Sequence, residues 1–422
     1  MPEIPMMMMH YSSVYPSLIS GGPFVPFRFF RLKFLLPALL LVVLASCTED
    51  EEAPPAYEPD YLVETVSVMD LDRSDVLALL GDEGVFPSEF ELLVRYGVEA
   101  VRLTYNTVSW DGEPVVASGA LIIPKTAEPL PLLAFQHGTI TDPLEAPSMF
   151  QSVYMELSSV FASTGFIMAL PDYLGYGESE QIEHPYEHRA SLATATRDMI
   201  RASYEYFLVK NLDGPSGELF LSGYSAGGFA TMATLKLLQE DHPQEFHVTA
   251  ATVGAGAYNK TATMAHILSA EEDSQHINSY LWVLDVYNDI YPQLGRPYSD
   301  YFNEPWATMI EQDGVFASVE KNPSLLFRSA FIEGVLSGSD TGFLSALSDN
   351  DVYNWKPDMP LRLYHGTDDQ FVPYLNTLTA YDAMLDLGAE SIELVYKQGG
   401  THDSTVLNYL MGTFGFFNSF RN

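Results

Sequence analysis

Six short runs in this chain are apolar almost without a break: "PLLAFQ" (131–136), "GFIMAL" (165–170), "LFLS" (219–222), "VTAATVG" (248–254), "LRLYH" (361–365) and "IELVYK" (392–397). A strand with one wet face alternates apolar and polar residues, whereas a strand covered on both faces reads as a continuous apolar run. Helical stretches lie between most of these runs, notably 188–208, 226–240 and 374–387. That alternation predicts a parallel sheet sandwiched by helices.

Two alternating runs precede the block, "VEAVRLTYNTV" (98–108) and "VVASGALIIP" (115–124), joined by the turn "WDGEP". They read as an antiparallel pair and bring the expected sheet to eight strands. Ahead of them, from about residue 61, the reading is helical, on "SDVLALL". Between 258 and 357 the rhythm stops. This segment is rich in Tyr and Trp, without buried-strand runs, and is expected to be a largely helical cap inserted into the sheet domain. Its aromatics are read mainly as the cap's own core.

The run at 219–222 leads into Gly223-Tyr224-Ser225-Ala226-Gly227, which fits the G-x-S-x-G spacing. Such a pentapeptide also arises by chance in a glycine-rich corner, so its context decides. Here a strand candidate ends at Ser222 and a helix begins at once with "AGGFATMATLKLLQE". A reversal that sharp forces the serine into a left-handed backbone, tolerable where small residues flank it, and holds the hydroxyl at a helix N-terminus.

A serine hydroxyl needs a base, and the base needs an orienting carboxylate. The residues supply candidates for both: Asp368 and Asp369 in the loop after the 361–365 strand, and His402 in "GGTHDS" after the last strand. At this point the chain resembles the α/β-hydrolases, secreted lipase and esterase members in particular. His365-Gly366-Thr367-Asp368-Asp369-Gln370-Phe371-Val372-Pro373 is similar to that family's H-G-x-x-D-x-x-V-P acid loop, and its register assigns the acid to Asp369. "PDYLGYGES" (171–179) and "HPYEHRASLATATRDMIRA" (184–202) resemble the loop and helix of the same members.

The resemblance implies an α/β-hydrolase fold and a catalytic triad of Ser225, His402 and Asp369. It implies an oxyanion hole from the backbone N–H groups of Ala226 and Thr139, the latter in "FQHGT". Tyr173 and Tyr224 are candidate walls of the pocket, with a structural role in a turn as the competing reading for Tyr173. His137 and His365 are assigned structural roles. The implied reaction is cleavage of carboxylic esters without a cofactor. Two other readings stay open: a peptidase of the same fold, and a surface glycan- or lipid-binding protein on an inactive scaffold.

Charge excludes one class of partner. Fifty-six Asp and Glu against 20 Lys and Arg give a formal net charge of −36, which opposes binding to nucleic acid. No zinc-protease, phosphate-loop or dinucleotide motif is present, so no metal is expected.

The N-terminal region carries an address. Arg28, Arg31 and Lys33 lead into "FLLPALLLVVLAS", which reads as a secretory signal covering residues 1–46. Leu44-Ala45-Ser46-Cys47 resembles a bacterial lipobox and contains the sole cysteine, so Cys47 is the expected lipid-bearing residue, on an outer-membrane or cell-surface lipoprotein of a Gram-negative bacterium. The first 27 residues are unusually long for the leading part of such a signal, which suggests that the true start lies downstream of Met1. Residues 47–60, acidic and proline-rich, read as a tether; 61–257 and 358–422 read as the two parts of the core around the 258–357 cap.

Overall fold

The computed structural model describes residues 57–81 and 88–421. The signal segment, Cys47 and nearly all of the tether therefore lie outside the described residues.

Nine strands form one sheet: β1 (Leu62–Leu71), β2 (Val98–Val108), β3 (Pro114–Pro124), β4 (Leu132–Gln136), β5 (Ile167–Pro171), β6 (Leu219–Tyr224), β7 (Val248–Gly254), β8 (Leu361–Gly366) and β9 (Ile392–Lys397). Their order is β1-β2-β3-β5-β4-β6-β7-β8-β9. β1 to β3 and the β3–β5 pair are antiparallel. All pairings from β5 through β9 are parallel. This is an α/β-hydrolase sheet with apolar runs at its centre, where Phe220, Leu221, Ala250 and Ala251 are wholly buried. The run at 392–397, expected to be buried on both faces, is instead the edge strand β9, with Val395 and Tyr396 exposed because no further strand or helix covers them fully.

The sheet has nine strands where the sequence reading expected eight, and the additional one is β1. The segment at about 61, read as helical, is a strand first and a helix only from Arg73. Leu62 alone in β1 is fully buried, while Val63, Val66 and Val68 are exposed, so the pattern that marks a buried strand is missing. What holds β1 comes from elsewhere in the chain. The buried carboxylate of Glu205 accepts backbone N–H bonds from Asp60, Tyr61 and Leu62 at 2.9, 2.8 and 2.6 Å.

Helices cover both faces, as crossovers between parallel strands require. Numbered in chain order, α1 (Arg73–Gly81), α2 (Val153–Ser163) and α13 (His402–Asn418) share one hydrophobic cluster with the sheet. The other face carries α3 (Arg189–Lys210), α4 (Ala226–Asp241) and α12 (Leu375–Asp386). Between β7 and β8 run seven helices: α5 (Lys260–Leu268), α6 (Ile277–Ile290), α7 (Tyr298–Tyr301), α8 (Trp306–Asp313), α9 (Pro323–Leu326), α10 (Ser329–Leu336) and α11 (Thr341–Asp349).

This helical block has its own hydrophobic cluster, in which Tyr287, Tyr301, Phe302 and Phe327 are buried together. Tyr186 and Ala226 from the sheet domain join the same cluster, so the block is packed down on the C-terminal ends of the strands. Among the described residues no helix is long and apolar enough to cross a membrane.

Candidate active site

β6 ends at Tyr224 and α4 starts at Ala226, leaving Ser225 alone to make the turn. Its backbone is left-handed, with φ 60° and ψ −126°, a conformation that costs a non-glycine residue roughly 1–3 kcal/mol. Ser225 N–H donates to Gly254 O at 2.8 Å, which ties the strained residue to β7. The flanking glycines are sterically required. A Cβ on Gly223 would stand 2.2 Å from Gly227 O, and one on Gly227 would stand 2.1 Å from Gln136 O.

The loop after β9 brings His402 to the serine. Ser225 Oγ lies 2.9 Å from His402 Nε2, and His402 Nδ1 lies 2.7 Å from Asp369 Oδ2. His402 is the first residue of α13, behind a capping box in which Thr401 and Ser404 exchange side-chain and backbone bonds. Tyr224 fixes the same turn from below, its hydroxyl donating to His402 O at 2.7 Å.

Asp369 is buried, and each of its oxygens has its own partners. Oδ1 accepts the N–H groups of Phe371 and Val372, both at 2.9 Å. Oδ2 faces His402 and also His365, whose Nε2 is 3.2 Å away. Burial would raise this carboxyl, but the hydrogen bonds from His365 and His402 outweigh it and hold the group well below the ordinary aspartate range. Asp368, the neighbouring candidate, is exposed, and its carboxylate accepts from Thr367 Oγ1 at 3.1 Å. The register that favoured Asp369 thus corresponds to the carboxylate found against the histidine.

His365 does more than fill a turn. Thr377 Oγ1 meets its Nδ1 at 2.6 Å, which leaves Nε2 as the donor towards Val372 O and the Asp369 carboxylate. His137 is also wholly enclosed, between Gly138 O and Asp172 O, and burial lowers its proton affinity.

Ala226 occupies the first position of α4, where the backbone N–H has no acceptor within the helix. The loop after β4 passes close over the serine: a Cβ on Gly138 would lie 3.8 Å from Ser225 Cβ. Thr139 follows in that loop, and its Oγ1 bonds to Tyr186 OH at 2.7 Å.

Neither of the two candidate pocket tyrosines lines the cavity at Ser225. Tyr224 lies beside the histidine, with ring centres 5.2 Å apart. Tyr173 instead has a left-handed backbone (φ 66°), is buried against the His137 ring at 4.4 Å, and points its hydroxyl at His137 O. It packs against the loop after β4 and, like Tyr224, does not line the cavity at Ser225.

That cavity is lined by Ser225, Tyr186, Glu187, Tyr280, Phe371 and Val372 among others. Tyr186 stands in the quoted "HPYEH" stretch and Tyr280 in the aromatic block, but neither carries a local signal for a place at the serine. Tyr186 is stacked on Trp282 of α6 at 4.1 Å, and Tyr280 OH donates to Phe371 O, so both belong to contacts between the helical block and the core. A larger hollow of about 280 Å³, lined by Leu238, His247 and Pro360, sits at the opposite ends of the strands from Ser225. Among the described residues no group of three or more His, Cys, Asp or Glu side chains is arranged to hold a metal ion.

Residues 145–409 match the secretory lipase family, a span that holds Ser225, Asp369, His402 and the whole helical block. The chain belongs to the secretory lipase family. Lipase 10 of Candida albicans is 22% identical over 315 residues, covering 69% of this chain; the match spans 65% of that lipase's length. Among solved structures, a protein of Legionella pneumophila superposes with a TM-score of 0.76 at 24% identity, over 86% of this chain and 98% of that one. The rice cell wall degrading esterase LipA from Xanthomonas oryzae gives a TM-score of 0.70 at 26% identity, over 83% of this chain and 94% of that one. This member of the secretory lipase family thus shares its fold with proteins of Legionella pneumophila and Xanthomonas oryzae.

Proposed function

We propose that this secretory lipase family member is a serine hydrolase that cleaves carboxylic esters through an acyl-enzyme. The observation that carries the reading is the unbroken chain from Ser225 Oγ to His402 at 2.9 Å and from His402 to Asp369 at 2.7 Å. A strained serine backbone at the head of α4 supports it, because strain of this kind persists where the surrounding fold over-determines it.

In this mechanism Ser225 Oγ attacks the ester carbonyl carbon while its proton passes to His402 Nε2. Asp369 keeps His402 in the tautomer that can accept, and stabilises the imidazolium that forms. The carbonyl oxygen becomes an oxyanion held by the N–H groups of Ala226 and Thr139; one such donor contributes about 3 kcal/mol. The intermediate collapses with cleavage of the C–O bond to the alcohol, which leaves with the proton from His402. Water then repeats the sequence: His402 takes its proton, the hydroxyl attacks the acyl carbon, and the acid departs as Ser225 regains its hydrogen.

The same proposal extends to location. Residues 1–46 act as a lipoprotein signal and Cys47 carries the lipid that fixes the enzyme to the outer membrane or cell surface, supported by the lipobox-like Leu44-Ala45-Ser46-Cys47 and a secretory family. Residues 258–357 act as the cap over the site.

The test is kcat/KM on p-nitrophenyl esters for the wild-type chain and Ser225→Ala. The proposal expects turnover that falls by at least about 10³-fold in the variant. Equal turnover in both would end it.

A further inference from the structure

The cavity at Ser225 is very small. It measures about 20 Å³, where a single water needs about 10–15 Å³ on the same measure. We infer that this cavity is the acyl pocket and that the enzyme acts on esters of acetyl- and propionyl-sized acids. The inference rests on Ser225 being the nucleophile.

Its position assigns it to the acyl side. His402 must protonate the departing alcohol, yet His402 does not line the cavity; Phe371, whose ring centre is 4.9 Å from that of His402, lines it on that side, and Tyr186 and Glu187 line it elsewhere. With the carbonyl carbon held at Ser225 Oγ, about 20 Å³ leaves space for one or two further carbons.

Three of its walls, Tyr280, Tyr186 and Glu187, are fastened, so a longer chain cannot push them apart cheaply. Tyr280 of α6 is hydrogen-bonded to Phe371 O in the acid loop. Tyr186 is held between Thr139 Oγ1 and the face of Trp282. Glu187 has a left-handed backbone (φ 53°), its carbonyl accepts from Tyr287 OH at 3.0 Å, and its carboxylate pairs with Lys260 at the start of α5.

The Glu187–Lys260 pair is the decisive wall. Both side chains are buried, and the Lys260 ammonium also rests 4.0 Å from the centre of the Phe229 ring. A hydrocarbon chain advancing past Glu187 meets a desolvated ion pair. It must either stop or separate the charges, and an unpaired buried charge is strongly unfavourable. The ion pair also spans the junction between the segment before α3 and the first helix of the 258–357 block, so the same contact that seats the block sets the depth of the pocket.

The experiment measures kcat/KM of the purified full-length chain on p-nitrophenyl acetate, butyrate, octanoate and palmitate, with Tyr280→Ala beside the wild type. One methylene in a closed pocket changes specificity by about 10–200-fold, so acetate should exceed octanoate by about 100-fold or more. Tyr280→Ala, which opens the wall at Phe371, should raise the octanoate-to-acetate ratio at least about tenfold. As a readout independent of the variant's folding, an ethyl fluorophosphonate should label the wild type faster than an octyl one by a similar factor.

Octanoate or palmitate preferred over acetate, with turnover still lost in Ser225→Ala, would overturn the small acyl pocket and leave the hydrolase standing. An unchanged ratio in folded Tyr280→Ala would likewise overturn it. Absence of both turnover and labelling would overturn the underlying reading instead.

Discussion

Asp369→Asn isolates the electrostatic part of the triad with almost no change in shape. In the wild type, Oδ1 takes two backbone N–H bonds and Oδ2 faces two imidazoles. An asparagine can keep its oxygen on Phe371 N–H and Val372 N–H, which forces its NH₂ group into the place of Oδ2. That donor then confronts His402 Nδ1, 2.7 Å away in the wild type, and His402 must turn to the tautomer that carries its proton on Nε2. In that form it cannot accept from Ser225. The expected loss is about 10⁴-fold in kcat with KM little changed, equivalent to about 5 kcal/mol of transition-state stabilisation. Asp368→Asn, one residue away and exposed, should stay within about twofold. Steady-state kinetics on a short p-nitrophenyl ester, with circular dichroism to confirm folding, reads both. If Asp369→Asn keeps more than a tenth of the activity, or Asp368→Asn is the variant that collapses, the assignment of the orienting acid is wrong.

Three further outcomes follow from named contacts. Gly227→Ala should cost about 1–3 kcal/mol or prevent folding, because its methyl would strike Gln136 O, and urea denaturation measures it. Glu205→Ala removes the acceptor shared by Asp60, Tyr61 and Leu62; a loss of about 3 kcal/mol and faster amide exchange over residues 60–66 are expected. Burial pushes His184 down to about 3 and His188 down to about 4. The unfolded chain therefore takes up these protons first, near pH 6.5, and stability should fall as pH drops from there towards the folded-state values, with a slope that loses about one proton in His184→Gln.

The parts of the fold that could be read from sequence are those whose signal is local. The strands from β4 to β8 are buried on both faces, or nearly so, and their composition says so, whereas β9 has the same apolar composition but lies at the sheet edge with Val395 and Tyr396 exposed. Ser225 was recognisable because a strand, a glycine-flanked serine and a helix follow one another without a gap, and Asp369 because residues 365–373 resemble a family motif, the residues alone leaving Asp368 equally open. β1 was hidden because its stability is borrowed from Glu205, 143 residues away from Leu62, and its own side chains are mostly wet.

The pocket was hidden for a related reason. Tyr186, Glu187, Tyr280 and Phe371 come from separate segments of the core and the helical block, and their positions at Ser225 exist only after those two parts have packed. Tyr173, for which a structural role in a turn competed with a place in the pocket, packs its ring on His137 from a left-handed backbone. The eventual contact surface of an inserted block is a property of tertiary packing, which a periodic pattern does not encode.

The central claim is that Ser225 is the nucleophile, and the most direct measurement is the site of covalent capture. The folded chain would be treated with a fluorophosphonate, digested, and the adduct located by tandem mass spectrometry. One phosphonyl group on Ser225, absent after denaturation beforehand and absent in His402→Ala on the same timescale, is the predicted result. An adduct on another residue, or ester hydrolysis that continues while Ser225 stays unlabelled, would contradict the account.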